Sequence, residues 1–425
     1  MDHVSRVARL ITTFCSQAAA MQRRGRAGRR QRGTCYRVYT RRGQDRVMPP
    51  HTMPEILRTP LEQVCLQTKD LGYPDTRQFL DSALDAPDAK AVESAERLLV
   101  AVGACESVSG PLAGLGRLMA QIPLDLRLAK TLIFGAMLNV LERTLRVVAI
   151  MALDRPLFSS SFATRDAARN SRMQCAMGRS DWLADLCALE RSLQADRPDC
   201  VSPALVREAR NTIRTLRQCV AQLGLAPTSP APAMPEAEEL RVLQSVITAG
   251  LSPNIARVRA PQKFQQVSNG TIAVDREARE LAFYAVDETC DEHTWRSHDV
   301  RNDRRVFVHP QSTMFLETKY ASPFVAFLGQ SANGQKTFLR DVTAPGIYGV
   351  LMFGPKVRVD HGCKVVVVGC GGLAVRAWPR IGVLVGQLRV LLDELLRRKL
   401  DDPQLSIHDH PVVLAVLDLV RTDGR

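Results

Sequence analysis

Gln22-Arg23-Arg24-Gly25-Arg26-Ala27-Gly28-Arg29 is the stretch on which the reading of this chain turns. An arginine cluster is most simply a nuclear-import tag or a patch for any polyanion. The glycines argue for more, because such a tag needs no small residues at fixed offsets. A helix start packed against a nucleotide does need them, since Gly25 and Gly28 let the backbone come close. Arg26 and Arg29, three apart, can then share a face and converge on one phosphate.

The charge around the stretch is local. Residues 1–50 hold twelve arginines against only Asp2 and Asp45, whereas the whole 425-residue chain carries a formal +13. The remainder is close to balanced, so the basic character is a device rather than a whole-protein field, and it points to phosphate. Hydrophobic residues at 45% and charged residues at 24% are ordinary for globular domains, and the length suggests about three of them. No apolar run is long enough for a transmembrane helix, and no membrane partner is expected. Eleven cysteines, an odd number with no CxxC pair, argue for a reducing compartment rather than a disulfide framework or a zinc ribbon. Residues 1–20 could pass for a mitochondrial presequence, being arginine-bearing and poor in acid.

Further along, Thr34–Tyr39 alternates like a strand, and Pro49-Pro50 and Pro54 mark a boundary. From Glu55 a helical pattern runs through Leu57, Leu61, Val64, Cys65 and Thr68 to Gly72. A second helix spans Ala89–Val102, with Asp88 as N-cap and Gly103 as stop. Two short helices before the Gly/Pro-broken segment 109–116 suit a winged helix. Residues 117–225 read as helical. Their clearest piece starts at Ser202-Pro203 and puts Val206, Ala209, Ile213, Leu216, Val220 and Leu223 on one face. The prolines of 226–238 predict a stiff linker. Short β-type runs follow at Arg305–His309, Thr313–Thr318, Phe324–Leu328, Thr337–Val342, Tyr348–Phe353 and Val365–Val368, which suggests a small barrel. Residues 265–304 are patternless and read as a barrel insertion. An amphipathic helix, Ile381–Leu400, closes the chain.

The opening octet resembles motif VI of superfamily 2 helicases, in the form found in DEAH/RHA-type ATP-dependent RNA helicases. The resemblance continues in order. Cys35–Thr40, Pro54–Glu62 and Ala91–Ala95 look like that family's path into its winged helix, and Pro123, Asp125, Arg127, Lys130 and Gly135 like the entry of its helical bundle. Ala249–Ala256, His309–Ser312 and Phe338–Thr343 are similar to its oligonucleotide-binding barrel. The match of residues 4–20 to the strand and helix before motif VI disfavours a presequence. Asp2–Phe14 look like one arm of a strand-separating hairpin.

The resemblance implies a multidomain chain: an α/β remnant, an α-rich middle and a β barrel. Residues 1–48 would be the end of the second RecA-like domain, 49–116 a winged helix and 117–225 a helical bundle of the HA2 or ratchet type. The linker 226–238 would lead to an OB fold at 239–380, with 381–425 the C-terminal helix and tail. It implies that Gln22, Gly25, Arg26 and Arg29 bind ATP. Gln22 would touch the γ-phosphate or its attacking water, and Arg26 and Arg29 would act as catalytic arginine fingers, worth about 10³–10⁵ in rate where such groups operate. ATP and Mg²⁺ belong to the full-length parent only, since no GxxxxGK[ST] loop or DEAH box is present in this sequence. The chain is therefore expected to lack stand-alone ATPase activity and to need RecA-like domains N-terminal to it.

The implied partner is single-stranded or structured RNA. Arg207, Arg210, Arg214 and Arg217 form a stripe that is either a solvated helix face or a rail for an RNA backbone. His309, Lys319, Tyr320 and Arg340 lie on or near predicted barrel strands and are candidate RNA contacts. Aromatics at 5% predict that backbone contacts dominate over base stacking. Gly369–Gly372 reads as a hairpin turn, not a phosphate loop. His293, His298, His408 and His410 lack a cysteine or carboxylate framework, so no metal is expected. A glycine-rich-patch (G-patch) activator is a further implied partner. The cytoplasm is the expected compartment, with nucleus and mitochondrion as alternatives. The rival functions are a non-catalytic RNA-binding adaptor, told apart by reading the coding frame upstream of Met1, and a basic DNA-binding winged helix. The latter is disfavoured because the charge does not sit on a recognition helix.

Overall fold

The computed structural model describes residues 12–158, 163–194, 196–226, 234–260, 264–267, 270–273, 281–285, 304–320, 322–334, 336–354, 357–362, 364–368, 373–402, 404–407 and 409–423. The proposed hairpin arm before residue 12, most of the proline linker, Gly369–Gly372, His293, His298 and His408 lie outside them.

Two small helices open the chain, α1 (Gln17–Arg24) and α2 (Arg41–Arg46). The strand expected at Thr34–Tyr39 does not form. A strand needs a neighbour for its backbone groups, and no described strand lies beside this one. Next come α3 (Glu62–Asp70), α4 (Thr76–Asp81) and α5 (Ala89–Ala101). Pro60 holds off the helix expected from Glu55, leaving one 3₁₀ turn at Glu55–Leu57 before α3. Asp88 caps α5 by accepting from the Lys90 amide at 3.0 Å, and Gly103 ends it at φ +84°. A short bridge between Cys105 and Leu112 follows. Inside this unit the buried Lys69 ammonium donates to the carbonyls of Pro74, Val108 and Gly110 and lies 3.6 Å from Glu96.

The middle comprises α6 (Gly114–Gln121), α7 (Leu126–Met137), α8 (Leu141–Met151), α9 (Arg165–Gln174), α10 (Asp181–Leu193), α11 (Pro203–Gln222) and α12 (Glu236–Leu251). Helices α7 and α12 are buried almost all round, the signature of central helices. They cross where Gly250 meets α7, and a Cβ there would collide with Thr131 Oγ1 and lie 2.8 Å from the Arg127 carbonyl oxygen.

The barrel is closed in the order β1–β4–β5–β7–β6, from β1 (Ile255–Arg259), β4 (Ala282–Ala285), β5 (Arg304–Val308), β6 (Phe324–Asn333) and β7 (Lys336–Thr343). All neighbours are antiparallel except β5 and β7. Strands β2 (Phe264–Val267) and β3 (Gly270–Ala273) make a separate hairpin. The segment read as an insertion therefore contains a hairpin and one barrel strand, β4. Residues 313–318 are turns rather than a strand. Residues 348–353 belong to a helix, α13 (Ile347–Phe353), whose Phe353 packs edge-on against Phe134 of α7 with centroids 6.0 Å apart.

A second sheet, β8 (Val357–Asp360), β9 (Val365–Val368) and β10 (Leu373–Arg376), lies outside the barrel, with α14 (Pro379–Asp401) and α15 (Pro411–Thr422) beyond it. Helices α12 to α15 and this sheet share one core with the helical middle, whereas the barrel has its own. The range 239–380 is thus more than a barrel, and the closing helix is joined by a second. No described helix is long and apolar enough to cross a membrane.

One carboxylate locks the barrel to the helices. Asp181, fully buried at the start of α10, accepts from Ser312 Oγ (2.7 Å), Thr313 N (2.7 Å), Thr313 Oγ1 (2.9 Å) and Val342 N (2.9 Å). Beside it, Ser180 Oγ and Thr343 Oγ1 are 2.7 Å apart and Ala344 N donates to the Arg179 carbonyl. Arg172 grips both oxygens of Asp185 at 2.8 and 2.7 Å and donates to the Gln311 carbonyl. Although burial opposes its charge, Asp185 and Asp181 hold the Arg172 guanidinium above its ordinary value. Asp341 makes a third carboxyl here, at φ +57°, and burial followed by the Asp181 charge pushes its pKa up to about 6.

Two outcomes are expected. Asp181→Ala strands four barrel donors and leaves Arg172 less compensated, so it should cost about 3–5 kcal/mol in chemical denaturation. Asp341 has a folded pKa above its unfolded value, so its stabilising contribution is full below about pH 4 and is lost as pH rises through about 6. Asp341→Asn, which tolerates the left-handed backbone, should therefore raise Tm more at pH 7.5 than at pH 5.

Candidate nucleic-acid interface

Three basic surfaces emerge. The first is the arginine segment. Ser16 caps α1 by accepting from the Ala19 amide at 3.1 Å, and α1 is pinned to the returning chain by Gln17 N to Pro49 O (2.9 Å), Ala18 N to Pro50 O (3.0 Å) and Gln17 Nε2 to Gln44 O (2.9 Å). The helix ends at Gly25, and the chain turns through Gly28 at φ +84°, a value that favours glycine. Gly25 itself is ordinary helical backbone at φ −64°, and a Cβ there would lie 3.4 Å from the Gln22 carbonyl oxygen, an ordinary contact, so the octet sits at a helix end rather than at the helix start its glycines predict.

Every side chain from Met21 to Arg30 is exposed, including Gln22, Arg26 and Arg29. Arg29 Nε reaches back to the Gly25 carbonyl at 3.4 Å, while Arg23, Arg24 and Arg26 have no acceptor among the described residues. Residues 16–40 contain no carboxylate. The segment is an open run of uncompensated guanidiniums, suited to polyphosphate and unsuited to magnesium. Around it Phe14, Met21, Tyr36 and Val38 are also exposed, Val38 completely. No strand-and-helix wall faces Arg26 and Arg29 among the described residues.

The second surface is α11. Its buried face is Leu205, Val206, Ala209, Ile213, Leu216 and Val220, and this leaves Arg207, Arg210, Arg214 and Arg217 exposed. Arg217 is consumed by a two-pronged pairing with Glu142, at 2.7 and 3.3 Å. Arg207, Arg210 and Arg214 have no partner among the described residues. Among the described residues the stripe presents three free cations rather than four.

The third surface is on the barrel. Alternation along β5 sends Val306 and Val308 inward and Arg305 and Phe307 outward, and along β7 it buries Leu339 and turns Phe338 and Arg340 out. Because β5 and β7 pair with Phe307 opposite Phe338, the two rings meet with centroids 6.0 Å apart. His309 stands edge-on to Phe338 at 5.9 Å. Arg305 and Lys336 lie over Phe307 at 5.3 and 5.4 Å, and Arg340 Nε donates to Ser331 Oγ at 3.0 Å. Burial, and then the Arg340 charge, lowers the His309 pKa, so its ring is neutral at neutral pH. Half-exposed rings rimmed by cations can stack bases and hold phosphates.

His309 and Arg340 are thus brought together, while Lys319 and Tyr320 are not part of the cluster. Lys319 is exposed elsewhere on the 309–320 turn. Tyr320 spends its hydroxyl on the Met314 carbonyl (3.2 Å) and its ring on Phe283, a structural assignment. Phe307, Phe338, Arg305 and Lys336 were not singled out from sequence, although the alternation that exposes them is legible there. No group of three or more His, Cys, Asp or Glu is placed to hold a metal among the described residues.

Residues 243–357 match the model of an oligonucleotide/oligosaccharide-binding (OB) fold, and residues 366–422 match that of a C-terminal domain in RNA helicases. A protein of Mycosarcoma maydis classed with the DEAH-box ATP-dependent helicases is 35% identical over 94% of this chain and 27% of its own length. An ATP-dependent RNA helicase of Xenopus laevis, dhx29, is 30% identical over 99% of this chain and 30% of its own length. The DExH-box ATP-dependent RNA helicase DExH1 of Arabidopsis thaliana is 29% identical over 99% of this chain and 40% of its own length. The chain spans about a third of the length of these relatives. With similarity running from one end to the other, a matching barrel and a matching C-terminal domain, the chain belongs to the DEAH-box ATP-dependent RNA helicases.

Proposed function

We propose that this chain is the C-terminal part of an ATP-dependent RNA helicase, whose arginine segment completes an ATP site built mainly by domains outside the chain. The observation that carries the reading is the run of exposed guanidiniums at 23–29 with no carboxylate beside them, those of Arg23, Arg24 and Arg26 without a partner among the described residues, next to a turn that needs Gly28 and to exposed apolar side chains that another α/β wall would cover. Arg26 and Arg29 would hold the γ-phosphate and the charge that develops on it, and Gln22 the attacking water. Magnesium would be held by carboxylates elsewhere, because residues 16–40 offer none.

Residues 49–116, three helices and a short bridge, fit a winged helix. Residues 117–225 fit the helical bundle of the HA2 or ratchet type. Single-stranded RNA would run along Arg207, Arg210 and Arg214 to the barrel cluster of Phe307, His309, Phe338 and Arg340. ATP turnover in the longer protein would drive translocation on RNA, with unwinding or remodelling of RNA–protein complexes. A glycine-rich-patch activator is a candidate partner. The cytoplasm suits the eight described cysteines, all of which are free thiols.

Two tests follow. In the longer protein, Arg26→Ala with Arg29→Ala should cut RNA-stimulated hydrolysis by about 10³-fold or more while RNA affinity is kept. Retained hydrolysis would refute the assignment, as would robust hydrolysis by the purified 425-residue chain alone. In that chain, replacing Arg207, Arg210 and Arg214 with Gln should weaken single-stranded RNA binding regardless of sequence. It should also flatten the log–log salt dependence by about two, at roughly 0.7 per phosphate contact. Phe338→Ala should cost about 1–3 kcal/mol of binding with the salt slope unchanged.

A further inference from the structure

An apolar groove of about 300 Å³ opens between α13, the second sheet and the start of α14. Ile347 and Leu351 line it from the helix, Val366 and Val375 from the sheet, and Ile381 and Val385 from α14. Its size suits one or two large side chains rather than a cofactor. From its mouth an apolar stripe continues along α14 through Ile381, Leu384, Leu388 and Leu391, spaced three, four and three residues apart. The stripe borders the helix's packed face, which is Gly382, Val385, Leu392, Leu395 and Leu396, with Leu388 half-buried against the core and Leu384 and Leu391 left outside it. Leu384 and Leu391 are 54% and 55% exposed, and Trp378 at the mouth is 69% exposed. Ten residues of helix make the stripe about 15 Å long, enough for three turns of a partner helix.

The charge around it is mainly positive, with Asp423 the one carboxylate among the residues that line it. Lys364 lies over the Trp378 ring at 5.3 Å, and Arg376 and Arg380 are exposed at the same end. No carboxylate occurs from Trp378 to Leu392. Asp423 lines the groove, but its carboxylate accepts from the Tyr348 amide at 3.4 Å. Arg389 turns inward to the carbonyls of Leu351 and Gly354. A second copy of this chain would bring the same three cations to the same place, which disfavours self-association. Nucleic acid would satisfy the cations but leave the aliphatic stripe wet.

We infer that the groove and the α14 stripe are a docking site for a partner protein's acidic amphipathic helix. The partner would insert an apolar side chain between α13 and the second sheet, lay further apolar residues at i, i+3/i+4 and i+7 along Leu384–Leu391, and set carboxylates against Lys364, Arg376 and Arg380. The inference does not depend on the helicase reading, because none of these residues lies on the three basic surfaces described above.

The test is a selection of phage-displayed random 15-residue peptides on the 425-residue chain, with fluorescence polarisation of the enriched sequences. Net-acidic peptides with apolar residues at helical spacing should be enriched. Their affinity should fall at least tenfold with Leu384→Ser and Leu391→Ser, both exposed positions. Arg376→Glu with Arg380→Glu should also weaken them tenfold, and should transfer preference to the same peptide with lysines in place of its acids. Enrichment of neutral or basic peptides overturns the inference, as does affinity indifferent to both pairs of variants. Competition by a single-stranded oligonucleotide that is itself weakened by these variants would make the groove a nucleic-acid site. A dimer in light scattering that dissociates with Leu384→Ser and Leu391→Ser would make the occupant a second copy. Either result overturns the proposal.

Discussion

The architecture hinges on a buried charge. Asp181 is withdrawn from water, which is costly for a carboxylate, and the cost is offset because both its oxygens are satisfied by barrel donors. Two of these donors are backbone amides, so the interaction specifies the conformation of the 312–313 turn and the end of β7 as well as the identity of nearby side chains. Arg172 supplies the compensating positive charge while its own fork is committed to Asp185. The barrel interior has its own core, and its position on the helices depends on this polar joint together with Ile255, Phe324 and Ala326, which reach from β1 and β6 into the helical core, and the direct passage of α12 into β1. The exposed cluster on β5 and β7 is carried by the same strands whose ends the joint fixes.

This arrangement bears on how motifs are read. His309–Ser312 and Phe338–Thr343 resemble family segments and lie on the barrel, which invites a role in binding. Their parts divide the work. The rings and guanidiniums of His309 and Arg340 face outward, while Ser312, Val342 and Thr343 serve the joint.

Much of the helical frame was legible because local signals and tertiary demand agree. Asp88 with Gly103, and Ser202-Pro203 with its 3–4 apolar spacing, delimit α5 and α11 nearly to the residue. The failures fall where packing overrides a short signal. Tyr348–Phe353 is apolar enough for a strand, yet it is enclosed by α12 and α7, and a short apolar run cannot reveal its own period. Residues 313–318 have strand composition, but Asp181 holds their start as a turn. Strand β4 is four residues within a charged stretch, too short to announce itself. At the candidate site, the arginine octet was visible because its charge has no neighbouring acid. The barrel cluster was half visible, since the pairing of Phe307 with Phe338 comes from strand order, which alternation alone does not give.

The one same-direction junction in the barrel has a geometric result. Antiparallel neighbours deliver their exits to opposite rims, but β5 and β7 leave on the same side. The chain after Val308 and the chain at Val342 therefore emerge together, within reach of a single acceptor two oxygens wide. Had that junction been antiparallel, one carboxylate could have held only one of the two exits. The other exit would have needed an acceptor of its own.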